Sequence, residues 1–418
     1  MAERFVILSR IAQCAALSSP ANRHLPGPWF AERMALYFSA LFLIYGVHIS
    51  YFPVWLHWRG LSPQDIGLIT ALPIFARTVL TPWIAAHADT RSNHRTMIIA
   101  LSGLSAGLAI VVSQCASFWP IALVAVPFSI VISTIMPLTE TLAVAGVRGA
   151  GHDYGRMRLW GSLMFLVTTV LTGILIDAYG APITVTVLIA ASLATFAAAL
   201  VLPKPPPVSL EANATSDSQT ESGLVRTLLS QPVFVIFLFC VGAVMGSHAT
   251  FYTFGALHLK SQGISGAAFG ALWVISIAAE MALLAYSAPL VARFGAVRLL
   301  IAGAAASVIR WGAMSLDPDF GVVVCLQALH ALTYGATHVG AIHFIARAVP
   351  TRGAGTAQAL YSAIGSGLVT GVATLMAGQL YPQLAGLTFL VMAALAGAGL
   401  AAAIAIDKAW DKGPILRS

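Results

Sequence analysis

Long apolar runs recur along this chain, separated by short clusters of Gly, Pro, Ser, Asn, Asp and Arg. A helix needs about 20 largely apolar residues to cross ~30 Å of hydrocarbon at ~1.5 Å per residue, and a helix bonds its own backbone groups where water is absent. Twelve segments meet that requirement, near residues 34–57, 65–87, 95–114, 118–145, 156–177, 181–202, 232–257, 266–292, 297–315, 320–346, 354–379 and 384–406. They are numbered spans 1 to 12. The pattern predicts an all-α membrane protein of twelve transmembrane helices in two six-helix halves, 34–202 and 232–406. The halves are joined by a polar linker, 203–231, which opens with Pro203-Lys204-Pro205-Pro206-Pro207. Residues 1–33 and 407–418 are read as tails. Phe5 to Leu17 is apolar enough to suggest a signal sequence, but Arg10 breaks it and no clean cleavage site follows. The first tail is therefore expected to be an interfacial or flexible segment, with Met34 as an alternative start.

Composition agrees with this pattern, since 58% of the 418 residues are hydrophobic and only 9% are charged, against roughly 25% charged in soluble domains. An even number of spans puts both tails on one side. The loops on that side carry Arg91, Arg95, Arg148, Arg156, Arg293, Arg298, Arg347 and Arg352, whereas the opposite loops hold only Arg59 and Lys260. This asymmetry predicts a multi-pass protein of the cytoplasmic (inner) membrane with both termini in the cytoplasm. It also accounts for most of the net charge of +7, so no nucleic-acid partner is inferred. Asn213-Ala214-Thr215 has the form of a glycosylation acceptor but falls in a linker expected to be cytoplasmic. Cys14, Cys115, Cys240 and Cys325 lack metal or redox spacing.

Four charges lie inside the apolar segments: Arg77, Glu140, Glu280 and Arg310. A charge in hydrocarbon costs from ~2.5 to above ~10 kcal/mol, so such groups normally face a polar cavity, a partner or a ligand. An internal repeat places two of them. Gly60-Leu61-Ser62 with Gly67 corresponds to Gly263-Ile264-Ser265 with Gly270, and the same offset aligns Arg95 with Arg298 and Arg77 with Glu280. Opposite charges thus occupy equivalent positions of spans 2 and 8, roughly 18–21 Å from the outer surface by the helical rise. Pseudo-symmetric halves facing one another across a midplane site account for that arrangement. With Arg158 at the start of span 5, three cations stand against two carboxylates. A carboxylate solute would balance the surplus cation, and Arg receives carboxylates bidentately.

Several ordered motifs carry a family resemblance. Between spans 2 and 3, Ala85-Ala86-His87-Ala88-Asp89-Thr90-Arg91-Ser92-Asn93-His94-Arg95 resembles, in degraded form, the Gly-x-x-x-Asp-Arg-x-Gly-x-Arg-Arg gate loop of the major facilitator superfamily, with Asp89 and Arg95 retained. Pro137-Leu138-Thr139-Glu140, then Tyr154-Gly155-Arg156-Met157-Arg158-Leu159-Trp160-Gly161-Ser162, resemble the phenylpropionate permease family of that superfamily, relatives of lactose permease. Gly246-Ser247-His248-Ala249 with Tyr252, Ala279-Glu280, Arg310-Trp311-Gly312, Leu329-His330-Ala331-Leu332-Thr333 and Gln358-Ala359-Leu360-Tyr361-Ser362-Ala363 continue the series, so the similarity runs from Tyr37 through most of the chain.

The resemblance implies proton-coupled uptake of a small organic solute by alternating access, with Arg77, Glu140, Arg158, Glu280, Arg310 and His330 as candidates for substrate binding and proton coupling. Glu140 and Arg158 match the sugar-binding pair of lactose permease, and Glu280, Arg310 and His330 match its polar residues on spans 8, 9 and 10. Its proton-carrying Glu is replaced by Thr333 and its span 10 Lys by Gln327, so its coupling network does not transfer intact. A 3-phenylpropionate-like aromatic carboxylate is the expected cargo, and Glu140, Glu280 and His330 are the groups available to take a proton. Sugar or nucleoside symport and export of a drug or metabolite are the alternatives.

Span 1 concentrates aromatics, and Tyr37, Tyr45 and Phe52 have spacings that would let them share a face toward an aromatic ligand. His248, His330, His338 and His343 are not expected to share one. No catalytic constellation, metal spacing or output domain is present, which argues against an enzyme or sensor. The expected partners are a small-molecule solute, protons and the lipid bilayer, with no cofactor and a monomer as the working unit.

Overall fold

The computed structural model describes residues 29–91, 93–150, 153–203 and 218–416, and of residues 82, 85, 86, 89–91, 145, 148–150 and 218–222 only the backbone. Cys14, the glycosylation-like triplet and residues 1–28 lie outside this range. Among the described residues ten helical stretches are long and apolar enough to cross a membrane. The last of them, Thr351–Ala409, counts as one stretch of 59 residues. It folds back at Ala385, where φ is +44° and a single 3-10 turn, Ala385–Leu387, joins Val369–Leu384 to Thr388–Ala409. Pro63–Arg91, a helix of 29 residues with Arg77 at its middle, supplies the remaining crossing. The result is the expected all-α arrangement of twelve spans.

Several spans are interrupted where continuous helices were expected. Span 7 is Pro232–Gly246 followed by Ala249–Ser261. At its break Ser247 Oγ donates to Val244 O at 2.6 Å and His248 Nδ1 lies 3.1 Å from the same carbonyl, so side chains claim backbone acceptors there. Span 8 turns at Tyr286, between Gly266–Ala285 and Ser287–Phe294. Spans 10 and 11 each contain a π-helical stretch, Ala331–Ala336 and Tyr361–Leu368. Part of the predicted linker is also ordered: Ser218–Leu229 is helical and buries Leu228 against the second half.

The repeat seen in the sequence has a structural cause. Gly60 and Gly263 both have φ +83°, and the residue after each donates its N–H back five residues, Leu61 to Leu56 O at 3.2 Å and Ile264 to Leu259 O at 3.0 Å. This is the left-handed glycine stop of a helix. The following serines then cap the next spans, Ser62 Oγ accepting from Asp65 N and Ser265 Oγ from Ala268 N.

Within the first six spans, span 1 packs on spans 5 and 6 and span 3 on span 4; within the last six, span 9 packs on span 12 and span 12 on span 7. The two groups meet along spans 2 and 11 and along spans 5 and 8. Both seams close tightly at the face opposite the termini. A Cβ on Gly67 would stand 2.7 Å from Gly378 Cα, and one on Gly266 would stand 2.7 Å from Gly173 O, so only glycine permits these approaches. Asp177 of span 5 also reaches across, accepting the Gly266 and Ala267 amides of span 8 at 2.7 and 2.9 Å, and Tyr51 donates to Gly266 O at 2.9 Å.

Candidate functional site

Between the halves lies a cavity of about 550 Å³. Its first-half wall includes Tyr45, His48, Phe52, Thr70, Arg77 and Ser129, and its second-half wall Tyr252, Trp273, Glu280, His330, Tyr334 and Thr370. The volume suits a small organic molecule, and most of the surface area is apolar, with polar side chains contributed by both halves. Arg77 is an exposed residue although it sits at the middle of span 2, because its guanidinium opens into this space. Among the described residues it has no hydrogen-bond or ion-pair partner, and the phenols Tyr45 and Tyr334, one from each half, line the same cavity. Glu280 lines the cavity from span 8, as the repeat alignment anticipated.

Behind Glu280 is a buried polar network. Glu280 Oε2 lies 3.3 Å from His330 Nε2, and His330 Nδ1 lies 3.2 Å from an Arg310 guanidinium nitrogen. Arginine only donates, so His330 Nδ1 is the acceptor, and the neutral ring then carries its proton on Nε2 and donates to Glu280. Arg310 also donates to Gln327 Oε1 at 2.6 Å and to Thr333 Oγ1 at 3.1 Å. Thr333 in turn donates to His248 Nε2 at 3.0 Å, since His248 Nδ1 is committed to the Val244 carbonyl. Arg310 is 1% exposed and lies over Trp311 at 4.5 Å and Phe251 at 5.5 Å. It is therefore not part of the cavity surface but stands one layer behind it, bonded to neutral acceptors, with Glu280 reached only through His330.

The other anticipated residues are distributed more widely. Glu140 accepts from Tyr154 Oη at 3.2 Å, and Arg158 lies beside that same phenol and over the Phe42 ring at 4.0 Å. This group occupies the terminal side of spans 4 and 5, outside the lining of the main cavity. Tyr45 lines the cavity with its hydroxyl donated to Ile132 O at 2.8 Å, and Phe52 lines it stacked between His48 and Trp55. Tyr37 does not: it is fully buried, paired with Ser102 Oγ at 2.8 Å. Helical spacing allowed a common face, but Tyr37 is packed within the first half, where the hydroxyl of Ser102 on span 3 is its partner. Arg95 donates to Leu202 O and Leu200 O at 2.8 and 3.0 Å, capping the end of span 6 within its own half. The side chain of Asp89 lies outside the described residues.

The expectation for the histidines fails in one respect. His330, Tyr334 and His338 stack in series, with centroids 5.3 and 6.3 Å apart and planes within 18°. Eight residues of α-helix leave two side chains about 80° apart around the axis, and the Ala331–Ala336 π segment, with more residues per turn, narrows that angle. Other groups without a clear sequence signal are His48, which bonds Ser129 Oγ at 3.0 Å, and the Tyr252–Trp273 pair, stacked at 5.5 Å. Tyr252 stood in a motif already noted, but nothing in spacing alone directed Trp273 inward.

Comparison with known proteins places this architecture. Residues 33–392 match the family model described as the MFS_1 like family. A protein of Escherichia coli (strain K12) named "Probable 3-phenylpropionic acid transporter" is 30% identical over 363 residues, 87% of this chain and 94% of its own length. The maltose permease of Geobacillus stearothermophilus is 27% identical over 346 residues, 82% of this chain and 86% of its own. Among solved structures, the nucleoside transporter NupG superposes with a TM-score of 0.78 at 15% identity, covering 91% of this chain and 99% of that one, and a D-xylose-proton symporter with a TM-score of 0.67 at 15% identity, covering 93% and 98%. These two likenesses concern the fold alone. The interhalf cavity, the twelve spans and the extent of the family match lead to one conclusion: this chain is a multi-pass membrane transporter, not an enzyme, and belongs to the MFS_1 like family of the major facilitator superfamily.

Proposed function

We propose that the protein imports a small aromatic monocarboxylate, of the 3-phenylpropionate type, together with protons across the cytoplasmic membrane, with both termini in the cytoplasm. The observation that carries this reading is a cation, Arg77, without a partner among the described residues, in an aromatic-walled cavity whose opposite wall presents Glu280 hydrogen-bonded to His330. An anion satisfies the cation, an aryl group suits the apolar walls, and Glu280 and His330 offer a proton site at the cavity surface. Coupling to protons lets an anion enter against a negative-inside potential. A neutral sugar or nucleoside would leave Arg77 without a counter-charge, whereas a carboxylate supplies one. The relative named as a 3-phenylpropionic acid transporter supports the same choice.

The test is uptake of labelled 3-phenylpropionate into proteoliposomes, beside a sugar and a nucleoside, with and without an inward proton gradient. A weak acid follows such a gradient passively, so the informative quantity is the saturable component above protein-free liposomes. Saturable, gradient-stimulated uptake of the acid alone is the expected result. Saturable uptake of a sugar or nucleoside instead would replace this reading.

A further inference from the structure

We infer that Arg77 is the residue that receives the substrate carboxylate, with the aryl ring resting on the Tyr252–Trp273 pair, so that one bound molecule spans both halves. The inference rests on the aromatic-carboxylate reading and selects one among three intramembrane arginines. Arg310 is 1% exposed, and its two terminal guanidinium nitrogens are engaged, Nη1 by His330 and Thr333 and Nη2 by Gln327, while among the described residues its buried Nε has no partner. Reaching it would require dismantling that network. Arg158 lies over Phe42 at 4.0 Å, outside the cavity lining, with Tyr154 and Glu140 beside it. Arg77 alone of the three lines the cavity, and among the described residues it has no partner to give up. Its fork of donors is free to bind a carboxylate through two parallel hydrogen bonds.

The remainder of the ligand is placed by exclusion and by shape. While ionised, Glu280 repels a carboxylate, and Arg77 on span 2 attracts one whether or not Glu280 holds a proton, so the acid end belongs at Arg77 and not on the second-half wall. On that wall Tyr252 of span 7 and Trp273 of span 8 line the cavity together, their rings stacked at 5.5 Å with a 24° tilt. An aryl ring can extend this stack face-on or edge-on. Recognition is thereby divided: span 2 reads charge and spans 7 and 8 read the ring.

The division is testable by calorimetric titration of purified protein with 3-phenylpropionate and with its uncharged analogue 3-phenylpropanamide. Wild type is expected to favour the acid about 10- to 100-fold, the range for one charged hydrogen-bonded contact. Arg77→Gln is expected to erase that preference while leaving amide affinity unchanged, Arg77→Lys to retain part of it, and Arg158→Gln to leave it intact. Trp273→Ala is expected to weaken acid and amide equally. Thermal melting of each variant shows whether it is folded, and Arg77→Lys keeps the test decisive should Arg77→Gln not fold. If Arg77→Gln, or Arg77→Lys in its place, shows the full wild-type preference for the acid, the assignment of Arg77 is wrong and the aromatic-carboxylate reading survives. If wild type binds neither compound, or does not prefer the acid, both fall together.

Discussion

Asp177 is the point at which the closure of the cavity is most directly exposed to perturbation. Its carboxylate, on span 5, takes the Gly266 and Ala267 amides at 2.7 and 2.9 Å, two of the unpaired donors that begin span 8 in the other half. These bonds exist only while the halves are together at the face opposite the termini, so their free energy acts on that state alone. A charge-assisted bond contributes ~1.5–3 kcal/mol when shielded, and a carboxylate at a helix N-terminus ~0.3–1 kcal/mol when exposed. Asp177 is exposed, so the lower part of these ranges applies, about 1–2 kcal/mol for the pair. Asp177→Asn keeps the shape but loses the charge and one acceptor. Because its remaining carbonyl oxygen still accepts one amide, about half of that free energy is lost, ~0.5–1 kcal/mol, which should shift the balance toward opening at that face by about 2- to 5-fold. With the native cysteines replaced and Thr70→Cys as a reporter on the cavity wall, the labelling rate by an impermeant maleimide added at the face opposite the termini should rise by that factor. An unchanged rate in a folded variant would show that Asp177 does not hold the seam, and the reasoning from helix-end capping would be refuted.

Other perturbations separate coupling from structure. Glu280→Gln should abolish stimulation of uptake by an imposed proton gradient while substrate exchange between the two sides continues; retained stimulation would place the proton elsewhere. Tyr37→Phe removes only the bond to Ser102 and should cost about 1 kcal/mol of stability, read from thermal melting, with no change in acid or amide affinity. Gly378→Leu puts a side chain where Gly67 Cα lies 2.8 Å from a built Cβ, and should raise labelling of the Thr70→Cys reporter as Asp177→Asn does.

The twelve spans and the alignment of Arg77 with Glu280 were legible because hydrocarbon imposes length and composition, and because Gly60 and Gly263 stop their helices by the same left-handed turn. What escaped sequence reading depended on contacts between distant segments. Tyr37 has the spacing of a cavity residue, yet Ser102, 65 positions away, determines where its hydroxyl goes. Arg310 reads as a cavity charge in sequence, but Gln327 and Thr333 on span 10 hold it a layer deeper. The stack of His330, Tyr334 and His338 is tightened by the π-helical ladder between them, which α-helical periodicity does not anticipate. Asp177 sat unremarked near the end of span 5 because its partners are backbone amides of the other half.

Proton-coupled carriage of an aromatic acid is the central claim, and the most direct test is the proton movement that accompanies transport. Proteoliposomes in weakly buffered medium, monitored with a pH electrode, should show an initial alkalinisation on addition of 3-phenylpropionate that saturates with concentration and exceeds the passive signal of protein-free liposomes. The signal should be absent with 3-phenylpropanamide and reduced to the passive level by Glu280→Gln. Saturable uptake of the labelled acid with no proton movement above the passive level would contradict the account.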